Sequence, residues 1–194
     1  QEIIFHLLDN LIIDSSISYI YIPYNKEYVE YNFEDLIKNR YKNYKFKFLI
    51  FEKQTRGAAE TILFALNKIF TDNINYPINL IQMKEMFDKP ILCIDSDNFY
   101  ETDIIKLWNG TNSVFTFHSK NKEAKFSYIT KDENNNITNI IEKEKISNNA
   151  CCGAYGFSSY YELKGYCEKI IKNDIRQKKE FYTSGVIKEM IKDG

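Results

Sequence analysis

No stretch of this 194-residue chain approaches the run of about 18 apolar residues that a transmembrane helix requires. No secretory signal pattern opens it either. Neither sign of charge is in excess. With 26 basic residues, 27 acidic residues and a formal net charge of −1, there is no electrostatic case for nucleic acid or an anionic membrane surface as a main partner. Cysteine is sparse: Cys93, Cys151, Cys152 and Cys167 form no CxxC pair and no zinc spacing. Adjacent Cys151 and Cys152 would point to opposite faces of a strand, a poor geometry for a mutual disulfide. Free thiols in a reducing cytoplasm are therefore the expectation. His118 ends a strand with no His, Cys or Glu at ligand spacing, and His6 falls on an apolar helical stripe. Gly-x-Ser-x-Gly, Walker A and Gly-x-Gly-x-x-Gly sequences are all missing.

What is present is a globular composition, 44% hydrophobic and 27% charged, in a length that suits one domain. A helical stripe runs from Ile3 to Ile12 and a strand from Ile17 to Ile22, stopped by Pro23. Tyr28 to Tyr41 reads as an amphipathic helix, Phe46 to Phe51 as a strand and Gly57 to Phe70 as a helix. The stretch Thr71 to Lys89 reads as an insertion. Pro90 to Asp95 is a further strand and Thr102 to Trp108 a short helix. This alternation predicts right-handed crossovers and a mainly parallel sheet. Strands then follow at Val114 to Phe117, Phe126 to Thr130, Ile137 to Ile141 and Ala154 to Phe157, the middle two joined by a polar turn. Helices resume over Tyr160 to Ile171 and Thr183 to Lys192.

The strand Ile91-Leu92-Cys93-Ile94 runs straight into Asp95-Ser96-Asp97. Strands of open α/β sheets deliver ligand-binding groups at their carboxyl ends. Two acids there repel each other unless a cation lies between them or solvent separates them. Mg²⁺, which prefers oxygen ligands and shares them with substrate phosphates, is the ordinary candidate. The plainer alternative is a solvated turn in which Asp95 or Asp97 caps the next helix. Four other segments stand out. In Thr55-Arg56-Gly57-Ala58-Ala59, the small residues permit close approach of a flat ligand or of another backbone at a helix N-terminus. Glu142-Lys143 offers a hydroxyl acceptor and a phosphate cation, or else belongs to a solvated charge run. Gly153 and Gly156 inside a strand mark a close approach or a bulge. Glu180-Phe181-Tyr182-Thr183-Ser184 reads locally as a helix start capped by Thr183 or Ser184.

In their order and spacing these segments resemble the sugar-phosphate nucleotidyltransferases, also called NDP-sugar pyrophosphorylases. Gly57-Ala58-Ala59 resembles that family's base-contacting triplet, and Ser96-Asp97-Asn98 its metal-binding Gly-Asp-Asn. Glu142-Lys143 is similar to its sugar- and phosphate-binding pair. Gly153-Ala154-Tyr155-Gly156-Phe157 and Glu180-Phe181-Tyr182-Thr183-Ser184 match two later motifs. The resemblance implies a Rossmann-like, GT-A-type α/β fold, with a mixed, mostly parallel sheet flanked by helices. It further implies transfer of a nucleotidyl group from an NTP to a sugar 1-phosphate. Asp97 would hold Mg²⁺ and act with Lys143 in catalysis. Thr55, Gly57, Ala58 and Asp95 would bind the nucleotide, and Glu142, Gly153, Glu180 and Tyr182 the sugar. The family's Gly-x-Gly-x-Arg loop and a later metal-binding Asp have no counterpart here. The chain opens on Gln1 and not on Met, so residues 1–194 are expected to be one nucleotidyltransferase-like domain of a longer chain. Two other readings stay open. A GT-A glycosyltransferase would use Asp95-Ser96-Asp97 for metal and nucleotide sugar, and a non-catalytic homologue would only bind. Neither nucleic acid nor membrane is an expected partner, and a homo-oligomer is left open.

Overall fold

The structure, a computed structural model, describes residues 3–13, 19–73 and 88–194. Helix α1 (Ile3–Asp9) leads to strand β1 (Ile20–Asn25), a 3₁₀ turn over Lys26–Tyr31, α2 (Phe33–Arg40), β2 (Phe46–Phe51) and α3 (Ala58–Asn73). There follow β3 (Ile91–Ile94), α4 (Ile104–Leu107), β4 (Ser113–His118), β5 (Ser127–Lys131), β6 (Ile137–Glu142), β7 (Asn149–Phe157), α5 (Tyr160–Lys172) and α6 (Thr183–Asp193). The greater part of the expected insertion at Thr71 to Lys89 lies outside the described residues, as does the start of the expected first strand.

The fold is mixed α/β, but its pairing corrects the mostly parallel sheet that alternation predicts. Among the described residues only β1 and β2 pair in parallel. The larger sheet has the order β3-β7-β5-β6, with β4 on the other edge of β7, and every described ladder in it is antiparallel. The reason is β7. It comes back between β3 and β4 and runs against both, so these two strands never pair with each other. Along one edge β7 meets β5 near Asn149 and Ala150, then β3 from Ala154 to Phe157. Gly153 falls where the neighbour changes, at φ 78°.

Alternation along the strands feeds two cores. Ile91 and Cys93 of β3, with Cys151, Tyr155 and Phe157 of β7, face the main core beneath α3, α5 and α6. Leu92, Ile94, Cys152 and Ala154 face the other way, toward Leu7 of α1 and Leu11 just beyond it. Cys151 and Cys152 thus lie on opposite faces, as expected for neighbours in a strand. The next residues of α1, Phe5 and Leu8, pack on Ile22 of β1 and Ile37 of α2. One short helix therefore joins the two sheets.

Two local expectations fail for identifiable reasons. The aromatic helix expected over Tyr28 to Tyr41 is broken at Asn32, which takes φ 51° and ends the 3₁₀ turn before α2 begins. Pro23 lies within β1 instead of ending it. A strand that pairs on one side only among the described residues can carry a proline without losing a ladder bond.

Candidate active site

The carboxyl ends of β3 and β6 converge on the middle of β7. Asp95 follows β3 directly, and its backbone N–H donates to the Gly153 carbonyl at 2.8 Å. The next residues are stapled down by side chains. The Asn98 amide donates to the Cys152 carbonyl at 3.3 Å and the Tyr100 hydroxyl donates to the same oxygen at 2.8 Å. Gly153 has no room for a side chain. A Cβ there would stand 2.6 Å from a carboxylate oxygen of Asp95 and closer still to the Asn98 amide. Neither Asp95 nor Asp97 caps the following helix. Asp103 does so, accepting from the N–H groups of Ile105 and Lys106.

The two acids differ in setting. Asp95 lines an open cleft of about 570 Å³, a size that holds a small organic ligand. Solvent reaches Asp95 through the open mouth, yet protein atoms crowd its carboxyl. Its pKa is pushed up to about 6, by loss of hydration first and then by the charges of Asp97 and Glu142. Asp97 is exposed in the turn and does not line the cleft. The cleft walls are largely aromatic, with Phe99, Tyr100, Phe115, Phe117 and Phe126 among them. Phe117 and Phe126 stack edge to face with centroids 5.1 Å apart. Among the described residues no Lys, Arg or His lines it. These aromatics escaped the sequence reading because they lie on three separate segments and have no mutual spacing.

Ser127 links the cleft to the second cluster. It lines the cleft and gives its hydroxyl to the Glu142 carboxylate. Glu142 is 6% exposed, and a carboxylate so placed needs donors. Besides Ser127, the Ser184 hydroxyl donates to the same Oε2 at 2.9 Å, and Gln177 Oε1 accepts the Glu142 N–H at 2.8 Å. Lys143, at φ 51°, turns its side chain elsewhere. Its Nζ donates to the Tyr182 hydroxyl at 2.9 Å and lies 5.0 Å from that ring. The hydrogen bond to Tyr182 holds the Lys143 ammonium above its usual range. The Cys151 thiol is pushed up to about 12 by burial, then by the charge of Glu142.

The α3 turn is drawn into the same neighbourhood through Phe181. The close approach that Gly57 permits is made by another backbone: a Cβ at Gly57, whose φ is 137°, would stand 2.6 Å from the Phe181 carbonyl oxygen. The Ala59 N–H donates to that oxygen at 2.8 Å and the Phe181 N–H donates to the Arg56 carbonyl at 3.0 Å. Glu60 reaches back to the Arg56 N–H, in the manner of a capping box. Thr55 shares a hydrogen bond with Thr61 at 2.6 Å, and Ala58 is half-buried. Glu180 is exposed and closes a tight turn with Gln177. The N-cap of α6 is Tyr182, with no side-chain cap bond. Neither Thr183 nor Ser184 serves as the cap, because the Ser184 hydroxyl is committed to Glu142. The sequence reading missed Ser127 and Gln177, and it took Ser184 as a possible cap and not as a donor to Glu142. Only their capacity to donate to or accept from a buried pair marks them, and that is visible only once the pair is placed.

Among the described residues no three His, Cys, Asp or Glu side chains form a metal-binding group. Asp95 and Asp97 fit a different kind of site. Mg²⁺ is commonly held by one or two carboxylates and completes its shell with water and substrate phosphate, a role open to Asp95 in the cleft and Asp97 in the exposed turn two residues on.

No family model matches the chain, and no curated protein does. Solved structures do match. A nucleoside-diphosphate-sugar pyrophosphorylase from Vibrio cholerae RC9 superposes with TM-score 0.79 at 15% identity, over 100% of this chain and 77% of that one. A Bacillus anthracis protein described as a glucose-1-phosphate thymidylyltransferase, solved with a sucrose, gives 0.65 at 17% identity over 99% of this chain and 71% of that one. The inositol-1-phosphate CTP transferase from T. maritima gives 0.58 at 10% identity over 92% of this chain, which spans 64% of that protein. The chain thus has the fold of the sugar-phosphate nucleotidyltransferases.

Proposed function

We propose that this chain carries out nucleotidyl transfer from a nucleoside triphosphate to a sugar 1-phosphate or similar phosphate, giving an NDP-sugar and pyrophosphate. One observation carries the reading: Asp95 and Glu142, at the carboxyl ends of β3 and β6, lie close enough that the charge of Glu142 acts on Asp95, in a chain that superposes on an NDP-sugar pyrophosphorylase at TM-score 0.79. An oxygen of the acceptor phosphate attacks the α-phosphorus, and the bond from that phosphorus to the bridging oxygen breaks. The electron pair leaves with pyrophosphate. No protein nucleophile is needed, so the protein contributes position and charge. The nucleotide lies along Thr55, Gly57 and Ala58. Lys143 faces the acceptor phosphate, and Glu142 accepts from sugar hydroxyls beside Gly153, with Glu180 and Tyr182 at the rim. Asp97, with Asp95 beside it, would hold Mg²⁺, which supplies charge neutralisation on phosphate oxygens when bound. Four unpaired thiols suit the reducing cytoplasm, where we place the reaction.

The test is product analysis. The protein is incubated with each common nucleoside triphosphate, glucose 1-phosphate and Mg²⁺, and pyrophosphate is measured. Asp97→Ala is expected to lower its release by about 100-fold or more, the scale of losing a key electrostatic group. A near-normal rate in that variant would sink the metal assignment. Free nucleoside diphosphate released from a nucleotide sugar would instead identify a glycosyltransferase. Binding without turnover would identify a non-catalytic homologue.

A further inference from the structure

We propose that the segment from Phe181 to Ser184 couples occupancy of the nucleotide side of the site to occupancy of the acceptor-phosphate side, with Ser184 as the positioning residue. The inference rests on the nucleotidyl-transfer reading above and adds to it a link between the two half-sites.

Four consecutive residues touch both clusters. At one end, the Phe181 backbone is hydrogen-bonded to Arg56 and Ala59 on either side of Gly57. The Phe181 ring is fully buried, with the Arg56 guanidinium 4.9 Å and the Arg176 guanidinium 4.5 Å from its centre. At the other end, the Tyr182 hydroxyl holds Lys143 and the Ser184 hydroxyl holds Glu142. Slack is small at each contact. Gly57 lets two backbones touch with no side chain between them. Ser184 is 1% exposed inside the first turn of α6, and Glu142 is fixed from its other side by Ser127. A shift of the α3 turn therefore moves Phe181, and Phe181 cannot move without carrying Tyr182 and Ser184 along.

The sign follows from the same contacts. A ligand that orders the α3 turn fixes Phe181 and, through it, the Glu142 and Lys143 side chains. The second ligand then has less freedom left to remove, so its affinity rises. Thermodynamic linkage requires the effect to be mutual. Ser184 need not touch either ligand for this to hold.

Calorimetric titration of the α,β-methylene analogues of UTP, CTP, dTTP and GTP, in which the bond to be broken is blocked, into the whole chain with Mg²⁺ provides the test. Each titration is run alone and with saturating glucose 1-phosphate, mannose 1-phosphate or inositol 1-phosphate. In the wild type an acceptor that binds is expected to tighten nucleotide binding about 10-fold, within the usual range of coupling between sites. Ser184→Ala is expected to reduce that ratio to below about 2-fold while leaving the affinity for nucleotide alone within about 2-fold. A purely structural defect would weaken both titrations together. Ser184→Thr, which keeps the hydroxyl, is expected to restore the ratio. Should Ser184→Ala fail to fold, Ser184→Cys, which keeps the bulk but weakens the hydrogen bond to Glu142, carries the same expectation. A wild type that binds both ligands independently overturns the proposal, as does a wild-type ratio retained in the folded variants. Failure to bind any nucleotide, or any acceptor, overturns the nucleotidyl-transfer reading itself and this inference with it.

Discussion

Asp95 and Asp97 stand two positions apart, and their surroundings make them different acids. The i, i+2 spacing at a strand end is plain in the sequence. Which acid enters the cleft is not, because that choice is made by a hydrogen bond from the Asp95 N–H to Gly153, 58 residues along the chain. The pKa of Asp95 is about 6 in the folded protein against about 3.9 when unfolded. The native state therefore binds more protons between about pH 4 and pH 6, and stability falls as pH rises through that window. Above it the loss is complete. Asp95→Asn removes the loss, so the variant is expected to melt about 2–4 °C above wild type at pH 7.5 and level with it near pH 4. The effect stays small because solvent reaches the residue. Thermal melts of both proteins at the two pH values check it, and a variant whose advantage over wild type is no larger at pH 7.5 than at pH 4 would contradict the crowding of this carboxyl.

At the scale of elements, strong periodicity is what the sequence makes legible. The stripe from Ala58 through Ile69 is realised as α3, and Phe46 to Phe51 appears with the expected bounds. The pattern of β7 is harder to read. Asn149–Phe157 is buried on both faces, so it lacks alternation, and its two glycines resemble a loop. Missing its full length hides the antiparallel pairing as well, since β7 is the strand that β3, β4 and β5 all share. The Gly57 turn was legible as a close approach, but its partner, Phe181, is 124 residues away. Gly57→Ala meets that backbone at 2.6 Å and an unfavourable φ together. It is expected to cost about 1–3 kcal/mol, the usual scale of local backbone strain, read as a lowered urea midpoint at unchanged m-value. An unshifted midpoint would mean that the turn can open away from Phe181 without loss.

Over the whole molecule the two sheets have unequal support. The larger is covered by α3, α5 and α6, whereas β1 and β2 rest on the small cluster of Phe5, Leu8, Ile22 and Ile37. Regions with few buried apolar contacts open first. Hydrogen exchange is therefore expected to show amides of β1, β2 and α2 opening at lower free energy than those of β7 and α5. Ile37→Ala, at a fully buried position, is expected to cost about 2–5 kcal/mol and to deprotect β1 and β2 while leaving β7 protected. Equal loss in both regions would mark a single cooperative unit. The passage of β7 from one neighbour to another at Gly153 also fixes a parity. One residue inserted between Gly153 and Ala154 would turn Tyr155 and Phe157 out of the main core, because side chains alternate faces. The stretches 119–126 and 132–136 lie between strands and carry no such rule. Changes of length that alter what the cleft admits can therefore accumulate beside Phe117 and Phe126, while Asp95 stays in register with Gly153.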